Sequence, residues 1–200
     1  MRILSLGDSY TIGEAVSEAD RWPVQLAALL RANGVGVETP TIVARTGWTT
    51  DELAAGIDAA KPAGAFDLVT LLVGVNDQYR GRSVDEFREK LRDLLRRAVD
   101  FAGGRAQRVI VVAIPDWGVT PFAEGRDRAR IAVEIDAFNA AVRAEAQSIG
   151  ACYVDITAIA RRARAMPAFI ADDGLHPSAA MYAEWARAIL PVAEKALGAT

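Results

Sequence analysis

Short apolar runs alternate along this chain with longer stretches in which apolar residues recur every three or four positions. The runs are rich in β-branched residues, so they predict five strands, at 2–6, 37–43, 67–73, 108–114 and 151–155. The third and fourth runs are almost continuously apolar, which is typical of strands that are covered on both faces.

The stretches between these runs predict helices. Thr49 with Glu52 and Ser83 with Glu86 each have the spacing of a capping box, which marks the start of a helix. Regular alternation of strand and helix predicts an α/β fold, with a five-stranded parallel sheet and helices on both of its faces. Because neither a linker nor a repeat interrupts this alternation, we expect a single domain over 1–200.

Composition and charge exclude some classes of partner. Of the 200 residues, 52% are hydrophobic and 24% are charged, which is enough apolar material for a buried core. The net charge of −3 provides no positive field for nucleic acid or acidic membranes, so we expect neither as a partner. The densest positive cluster is Arg161, Arg162 and Arg164, which we interpret as a solvated helix face, with contact to an anionic substrate as the alternative.

The chain has one cysteine and one histidine, so we expect neither an internal disulfide nor a metal site. Cys152 lies in an apolar, strand-like run and is predicted to be a small buried core residue. No apolar run reaches the roughly 20 residues that span a bilayer. The first residues also lack the pattern of a secretory signal, so we expect a cytoplasmic protein without integral membrane association.

Four residues with useful chemistry follow different predicted strands. Ser9 follows the first strand, Gly47 the second, Asn76 the third, and His176 the stretch after the fifth. In open parallel sheets ligands bind at the carboxyl ends of the strands, so these four residues should lie on one edge. A serine nucleophile needs a base and an acid that orients the base. His176 is the one candidate for that base, and Asp173 precedes it by three residues.

The sequence around these residues resembles that of the SGNH (GDSL-type) hydrolase family. Its four blocks occur in the family's order and cover almost the whole chain; they are Gly7-Asp8-Ser9, Gly47, Gly74-Val75-Asn76-Asp77 and Asp173-Gly174-Leu175-His176. The resemblance implies a flavodoxin-like, three-layer α/β/α sandwich with esterase, lipase, thioesterase or carbohydrate deacetylase activity. Trp22-Pro23 and the segment 172–177 are also similar to the small lysophospholipase and acyl-thioesterase branch.

The resemblance implies a role for each matching residue. Ser9 would be the nucleophile, and Asp173 and His176 would complete a catalytic triad. The backbone N–H groups of Ser9 and Gly47 and the side-chain amide of Asn76 would form the oxyanion hole. These roles suit the residue types, because an imidazole titrates near neutrality and an amide donates hydrogen bonds where a carboxylate could not.

Three further aspartates lie beside these blocks. Asp172 is the alternative orienter of His176, at a spacing that matches the family block less well. Asp8 and Asp77 are expected to bind backbone amides of loops, as aspartates commonly do in turns.

Five aromatic residues are candidates to line an acyl or aryl pocket, although each taken singly also suits the core or the rim: Tyr10, Trp48, Tyr79, Trp117 and Phe122. Tyr10 stands where the family commonly has leucine. The segments 115–128 and 157–175 have little periodicity and are predicted to be functional loops, the first of them a candidate lid.

The expected function is hydrolysis of a small-molecule ester, or alternatively a thioester, with small or lipid-like acyl groups, through an acyl-Ser9 intermediate and without a metal or organic cofactor. Two alternatives stay open: an O-acetyl carbohydrate deacetylase, and a non-catalytic acyl- or sugar-binding protein on the same fold. A phospho-aspartate receiver would need a lysine after the fifth strand, and a dinucleotide-binding protein would need Gly-x-Gly-x-x-Gly after the first. The chain has neither feature.

Overall fold

The structure is a computed structural model that describes residues 1–198. Its strands and α-helices follow one another in the order β1 (Ile3–Gly7), α1 (Ser9–Ile12), α2 (Trp22–Ala32), β2 (Thr41–Ala44), α3 (Thr50–Ala60), β3 (Leu68–Leu72), α4 (Val75–Tyr79), α5 (Val84–Phe101), β4 (Val109–Val112), α6 (Arg128–Ser148), β5 (Cys152–Val154), α7 (Thr157–Arg161) and α8 (Ala179–Leu197). Single 3₁₀ turns occur at Glu18–Asp20, Ala106–Arg108, Trp117–Val119, Pro121–Ala123, Arg162–Arg164 and Pro167–Phe169.

The five strands form one parallel sheet in the order β2-β1-β3-β4-β5. The predicted α/β fold, with helices on both faces of the sheet, is therefore confirmed. β1 pairs with β2 on one side and with β3 on the other, so the order of the strands reverses next to it. A crevice at the carboxyl ends of β1 and β3 is thus the place where such a sheet binds ligands.

The start of the second strand differs from the prediction. We expect residues 37–43, whereas β2 begins at Thr41. The register places Thr41 beside Leu4, so Pro40 stands just before the first paired residue, and its ring nitrogen has no hydrogen for the ladder. Upstream of it, the N–H of Glu38 donates to the carbonyl of Met1 at 2.8 Å outside the strand.

Two layers of helices cover the sheet. α2 packs against α8, while α3 and α6 both pack against α5. Both predicted capping boxes are formed, and at α5 the Ser83 Oγ accepts from the N–H of Glu86 at 3.2 Å. The buried apolar side chains form one continuous cluster. That 1–200 is a single domain stays a prediction, and residues 199 and 200 of that range lie outside the described residues.

Two surface features differ from the sequence-based expectations. Cys152 is only half-buried, because β5 is the last strand of the sheet and has one neighbour. The arginine cluster is not one solvated helix face, because it spans the end of α7 and a 3₁₀ turn. Arg161 instead forms ion pairs with Asp116 and Asp136, both at 2.8 Å.

Within residues 1–198, none of the helices is both long enough and apolar enough to cross a membrane.

Candidate active site

Ser9 lies at the carboxyl end of β1, as the first residue of the short helix α1. Asp8 caps this helix, since its Oδ1 accepts the backbone N–H of Tyr10 at 3.0 Å. The first N–H groups of a helix have no partner within the helix, so the N–H of Ser9 is available to a ligand. The Ser9 residue is 4% exposed, and its remaining surface opens into a cavity.

His176 is held by Asp173 through three contacts. Oδ2 of Asp173 lies 2.5 Å from Nδ1 of the imidazole, and Oδ1 accepts the backbone N–H groups of Leu175 and His176, both at 2.9 Å. Burial alone would raise the pKa of Asp173, but the hydrogen bonds from the imidazole and from these two N–H groups outweigh it and lower the pKa. Because Nδ1 faces Asp173, Nε2 is the imidazole nitrogen left to face a substrate. The neighbouring Asp172 is exposed.

Ser9 and His176 line the same cavity, which has a volume of about 160 Å³. Its wall is mostly apolar and consists of Ser9, Tyr10, Thr46, Gly47, Val75, Asn76, Tyr79, Trp117, Phe122, Leu175 and His176. Within residues 1–198 no hydrogen bond joins the Ser9 hydroxyl to the imidazole. Such contacts are often long in unliganded enzymes and tighten when substrate binds.

Asn76 and Gly47 reach the cavity from two other strand ends. Asn76 lies on α4, after β3, and its Nδ2 donates one hydrogen bond to the carbonyl of Trp48 at 3.0 Å. That bond fixes the amide and leaves its second N–H for a ligand. Gly47 follows β2 with φ +82°, a conformation that favours glycine, and its carbonyl accepts from Nη2 of Arg80 at 2.7 Å.

Four of the five predicted aromatic residues line the cavity: Tyr10, Tyr79, Trp117 and Phe122. Tyr10 is buried, and its ring centroid lies 5.1 Å from that of His176, so it also supports the imidazole. Trp48 does not line the cavity. Its ring packs over Gly56 of α3, where a Cβ would come within 2.1 Å of the indole, so the missing side chain there makes room for the ring.

The loop 115–128 is tied to its surroundings at several points. Nε1 of Trp117 donates to Oε1 of Gln78 at 2.8 Å, and the N–H of Phe122 donates to the carbonyl of Gly174 at 2.9 Å. Trp117 and Phe122 therefore form part of the cavity wall through contacts with α4 and with the loop that carries Asp173. That the loop opens as a lid stays a prediction.

Asp8 and Asp77 both bind backbone amides, as predicted. Asp77 accepts from the N–H of Thr50 at 3.0 Å and from its hydroxyl at 2.8 Å, which joins α4 to the start of α3. Asp8 is fully buried, and within the described chain its Oδ2 has no hydrogen-bond partner. Burial raises the pKa of Asp8 to about 8, and the nearby charge of Asp77 adds to this effect.

Several residues at the site have no role predicted from the sequence. Thr46 lines the cavity beside Gly47, and Val75 and Leu175 line it from within the matching blocks. Arg80 directly follows Tyr79 and Arg126 lies in the loop 115–128, but the sequence gives no sign that either contacts the site. Between residues 1 and 198, there is no group of three or more His, Cys, Asp or Glu side chains that could hold a metal ion.

Solved structures similar to this one cover nearly the whole chain. TesA superposes with a TM-score of 0.74 at 18% identity, covering 98% of this chain and 100% of its own. The acetylxylan esterase Axe2 from Geobacillus stearothermophilus superposes with a TM-score of 0.72 at 23% identity, covering 96% of this chain and 93% of its own. The psychrotrophic esterase EstA from Pseudoalteromonas sp. superposes with a TM-score of 0.70 at 17% identity, covering 98% of each chain. These likenesses show a shared fold.

Sequence comparison identifies the family. No curated protein matches the chain significantly. The family model for GDSL-like lipases and acylhydrolases matches residues 5–184, nearly the whole length. This match confirms the prediction of a GDSL-type serine esterase: the chain belongs to the GDSL-like lipase/acylhydrolase family.

Proposed function

We propose that this protein hydrolyses carboxylic esters through an acyl-Ser9 intermediate. One observation carries the proposal: Ser9, Gly47, Asn76 and His176 surround a single cavity, and Asp173 is bonded to the far nitrogen of the imidazole. A nucleophile, a base with its orienting acid, and donors for a developing oxyanion are the groups that acyl transfer needs.

Acylation begins when Ser9 Oγ attacks the ester carbonyl and Nε2 of His176 takes the hydroxyl proton. The carbonyl oxygen becomes negative and accepts hydrogen bonds from the N–H groups of Ser9 and Gly47 and from the Asn76 amide. The bond to the alcohol oxygen then breaks, and His176 returns the proton to the leaving alcohol. Asp173 holds the imidazole in the tautomer with hydrogen on Nδ1 and stabilises the imidazolium that forms in between.

Deacylation repeats these steps with water as the nucleophile. His176 takes a proton from the water, whose oxygen attacks the acyl carbon while the same donors hold the oxyanion. The bond to Ser9 Oγ breaks, the proton returns to Oγ, and the carboxylic acid leaves.

The size of the cavity favours short acyl groups. The cavity measures about 160 Å³. Pockets for drug-sized ligands commonly measure about 300–1,000 Å³. We therefore expect acetyl to butyryl esters to be better substrates than long, lipid-like acyl esters.

A second candidate is deacetylation of O-acetyl sugars. Axe2, which shares the fold, is an acetylxylan esterase. A cavity that suits acetyl groups opens here beside a groove of about 650 Å³, which could receive the sugar. The two candidates share one chemistry and differ in the alcohol portion of the substrate.

A panel of p-nitrophenyl esters from acetyl to palmitoyl, together with acetylated xylooligosaccharides, tests both candidates. We expect hydrolysis of the short p-nitrophenyl esters and its loss in Ser9→Ala, while the matched control Ser17→Ala keeps the wild-type rate, because the Ser17 hydroxyl bonds Asp20 away from the cavity. A wild type that hydrolyses none of these compounds would leave a non-catalytic binding protein as the better description. A Ser9→Ala variant that retains the wild-type rate would instead exclude Ser9 as the nucleophile.

A fluorophosphonate probe tests the intermediate directly. Wild type should be labelled at Ser9 within minutes, with the modified residue located by peptide mass spectrometry. The His176→Ala variant should react far more slowly with the probe, because the Ser9 hydroxyl then has no base to take its proton. Equal labelling of both proteins would exclude His176 as the activating base.

A further inference from the structure

A single arginine stands at the junction between the cavity and the neighbouring groove. The guanidinium carbon of Arg126 lies 5.2 Å from the ring centre of Tyr79, 5.5 Å from that of Trp117 and 5.6 Å from that of Phe122. Its Nη2 also donates to the hydroxyl of Tyr79 at 3.1 Å. These three rings form part of the cavity wall, while Tyr79, Trp117 and Arg126 also line the groove.

The three rings hold this cation without neutralising it. Within residues 1–198 Arg126 forms no ion pair with a carboxylate, whereas the two other arginines of the groove do. Arg82 pairs with Asp77 at 2.9 Å, and Arg130 pairs with Glu134 at 2.7 Å. Contacts with aromatic faces contribute about 0.5–1 kcal/mol at exposed sites and leave the guanidinium charge in place.

Among the described residues, neither acidic side chain of the groove forms an ion pair with Arg126. Glu134 also accepts a hydrogen bond from Nε2 of Gln78 at 2.7 Å, and Asp127 accepts the N–H of Arg130 at 2.9 Å as the cap of α6. Of the three arginines that line the groove, Arg126 is therefore the one that no carboxylate of the described residues pairs.

We propose that Arg126 determines substrate specificity by binding an anionic oxygen group, a carboxylate or a phosphate, on the portion of the ester that extends from the cavity into the groove. A guanidinium has five N–H donors and one goes to Tyr79, so enough are left for a bidentate contact. Contacts with three rings restrict the side chain in advance, which lowers the entropic cost of binding. The net charge of the chain is −3, so a preference for anionic esters would come from Arg126 and not from the overall charge of the protein.

This inference rests on the proposed esterase function and names its substrate class: esters of short acyl groups whose other portion carries a negative charge. A 160 Å³ cavity leaves most of any larger ester outside, and two of the rings that Arg126 contacts, Tyr79 and Trp117, line both spaces. The charge on the substrate would then be recognised beside the aromatic wall of the cavity.

The test compares three acetyl esters, phenyl acetate, 4-acetoxybenzoate and 4-acetoxyphenyl phosphate, in wild type, Arg126→Gln and Arg126→Lys. Dividing the kcat/KM of a variant by that of wild type for the same ester cancels the intrinsic reactivity of each leaving group. In Arg126→Gln we expect kcat/KM to fall by about tenfold or more on one or both anionic esters and by less than about twofold on phenyl acetate. The kcat/KM of Arg126→Lys on the anionic esters should lie between those of wild type and Arg126→Gln, because lysine keeps the positive charge and lacks the planar guanidinium.

Arg96→Gln is the matched control, since it removes the same charge from an exposed position on α5 outside the groove. Arg96→Gln should hydrolyse all three esters with the kcat/KM of wild type. Equal losses on all three esters in Arg126→Gln would show that Arg126 only braces the aromatic wall, and would overturn the proposal, as would unchanged rates on both anionic esters. Failure of wild type to hydrolyse any of the three overturns the proposed esterase function itself, so the two failures are distinct.

Discussion

Oδ2 of Asp173 lies 2.5 Å from Nδ1 of His176, while Oδ1 of the same carboxylate binds two backbone N–H groups of the loop that carries the imidazole. The aspartate therefore fixes both the path of the loop and the orientation of the ring. His176 is 6% exposed, so the imidazole has little room to adopt another orientation.

Asp173→Asn should lower kcat by about 10⁴-fold, the size of effect seen when the orienting aspartate of a serine protease triad is changed to asparagine. An asparagine amide facing Nδ1 would favour the wrong tautomer and could not stabilise the imidazolium. Steady-state kinetics on p-nitrophenyl acetate measure the loss.

Asp172→Asn is the control for this change, because it alters the adjacent, exposed carboxylate in the same way. It should keep kcat within about twofold of wild type. A large loss in Asp172→Asn with a small one in Asp173→Asn would exchange the roles of the two residues.

The sequence predicts the parts of the site that depend on local spacing or on strand ends. Asp173 and His176 are three residues apart, so one turn of chain suffices to join them. Ser9 and Asn76 follow neighbouring strands of a parallel sheet, and the topology of such a sheet brings their positions to one edge.

Contacts between distant loops could not be predicted in the same way. The direction of the Trp48 ring depends on Gly56 in the next helix, and the place of Arg126 depends on Tyr79 of α4 as well as on two rings of its own loop. Neither relationship has a periodicity or a spacing that can be read along the chain. The late start of β2 does have a sequence cause, Pro40, which outweighs the β-branched residues around it.

Asp8 should make stability depend on pH. Its pKa is raised from 3.8 to about 8 in the folded protein, because burial disfavours the charged form. Between these two values Asp8 is more protonated in the folded state than in the unfolded state, so its contribution to the free energy of unfolding should fall as pH rises from about 4 to about 8. Asp8→Asn removes this titration and keeps an oxygen for the N–H of Tyr10, so its stability should fall less over the same range.

Urea unfolding of both proteins at intervals from pH 4 to pH 8.5 measures this difference. The control Asp100→Asn changes an exposed carboxylate and should follow the wild-type curve. Parallel curves for wild type and Asp8→Asn would show that Asp8 does not carry the pH dependence.

Gly7 is required for close packing where β1 meets α1. A Cβ at this position would lie 2.1 Å from Oγ1 of Thr11 and 2.4 Å from the carbonyl oxygen of Leu72 in the neighbouring strand. The backbone carbonyl cannot move aside without disturbing the sheet, so Gly7→Ala should destabilise the protein by at least about 2 kcal/mol. It should also displace Ser9, two residues later.

Gly36→Ala makes the same chemical change where a Cβ would meet nothing within 4 Å. It should leave the free energy of unfolding within about 1 kcal/mol of wild type, or raise it, because alanine restricts the unfolded chain. Chemical denaturation of the two variants measures both effects, and equal stabilities would contradict the packing account.

Asn76 should contribute mainly to kcat. One N–H of its amide bonds the Trp48 carbonyl at 3.0 Å, so the side chain is oriented before substrate arrives and its other N–H is available to the oxyanion. Loss of one such donor typically lowers the rate by about 10²–10³-fold. Asn76→Ala should therefore lower kcat by that factor with little change in KM. Asn76→Asp should lower kcat further, because an ionised carboxylate has no hydrogen to donate and repels the oxyanion.

Asn33→Ala is the matched control, since Asn33 bonds Glu194 at the far end of α2. Its kinetics on p-nitrophenyl acetate should equal those of wild type. The split between kcat and KM decides the role of Asn76: a raised KM with unchanged kcat would mean that its amide binds the substrate in the ground state, whereas an unchanged KM with lowered kcat places its hydrogen bond in the transition state.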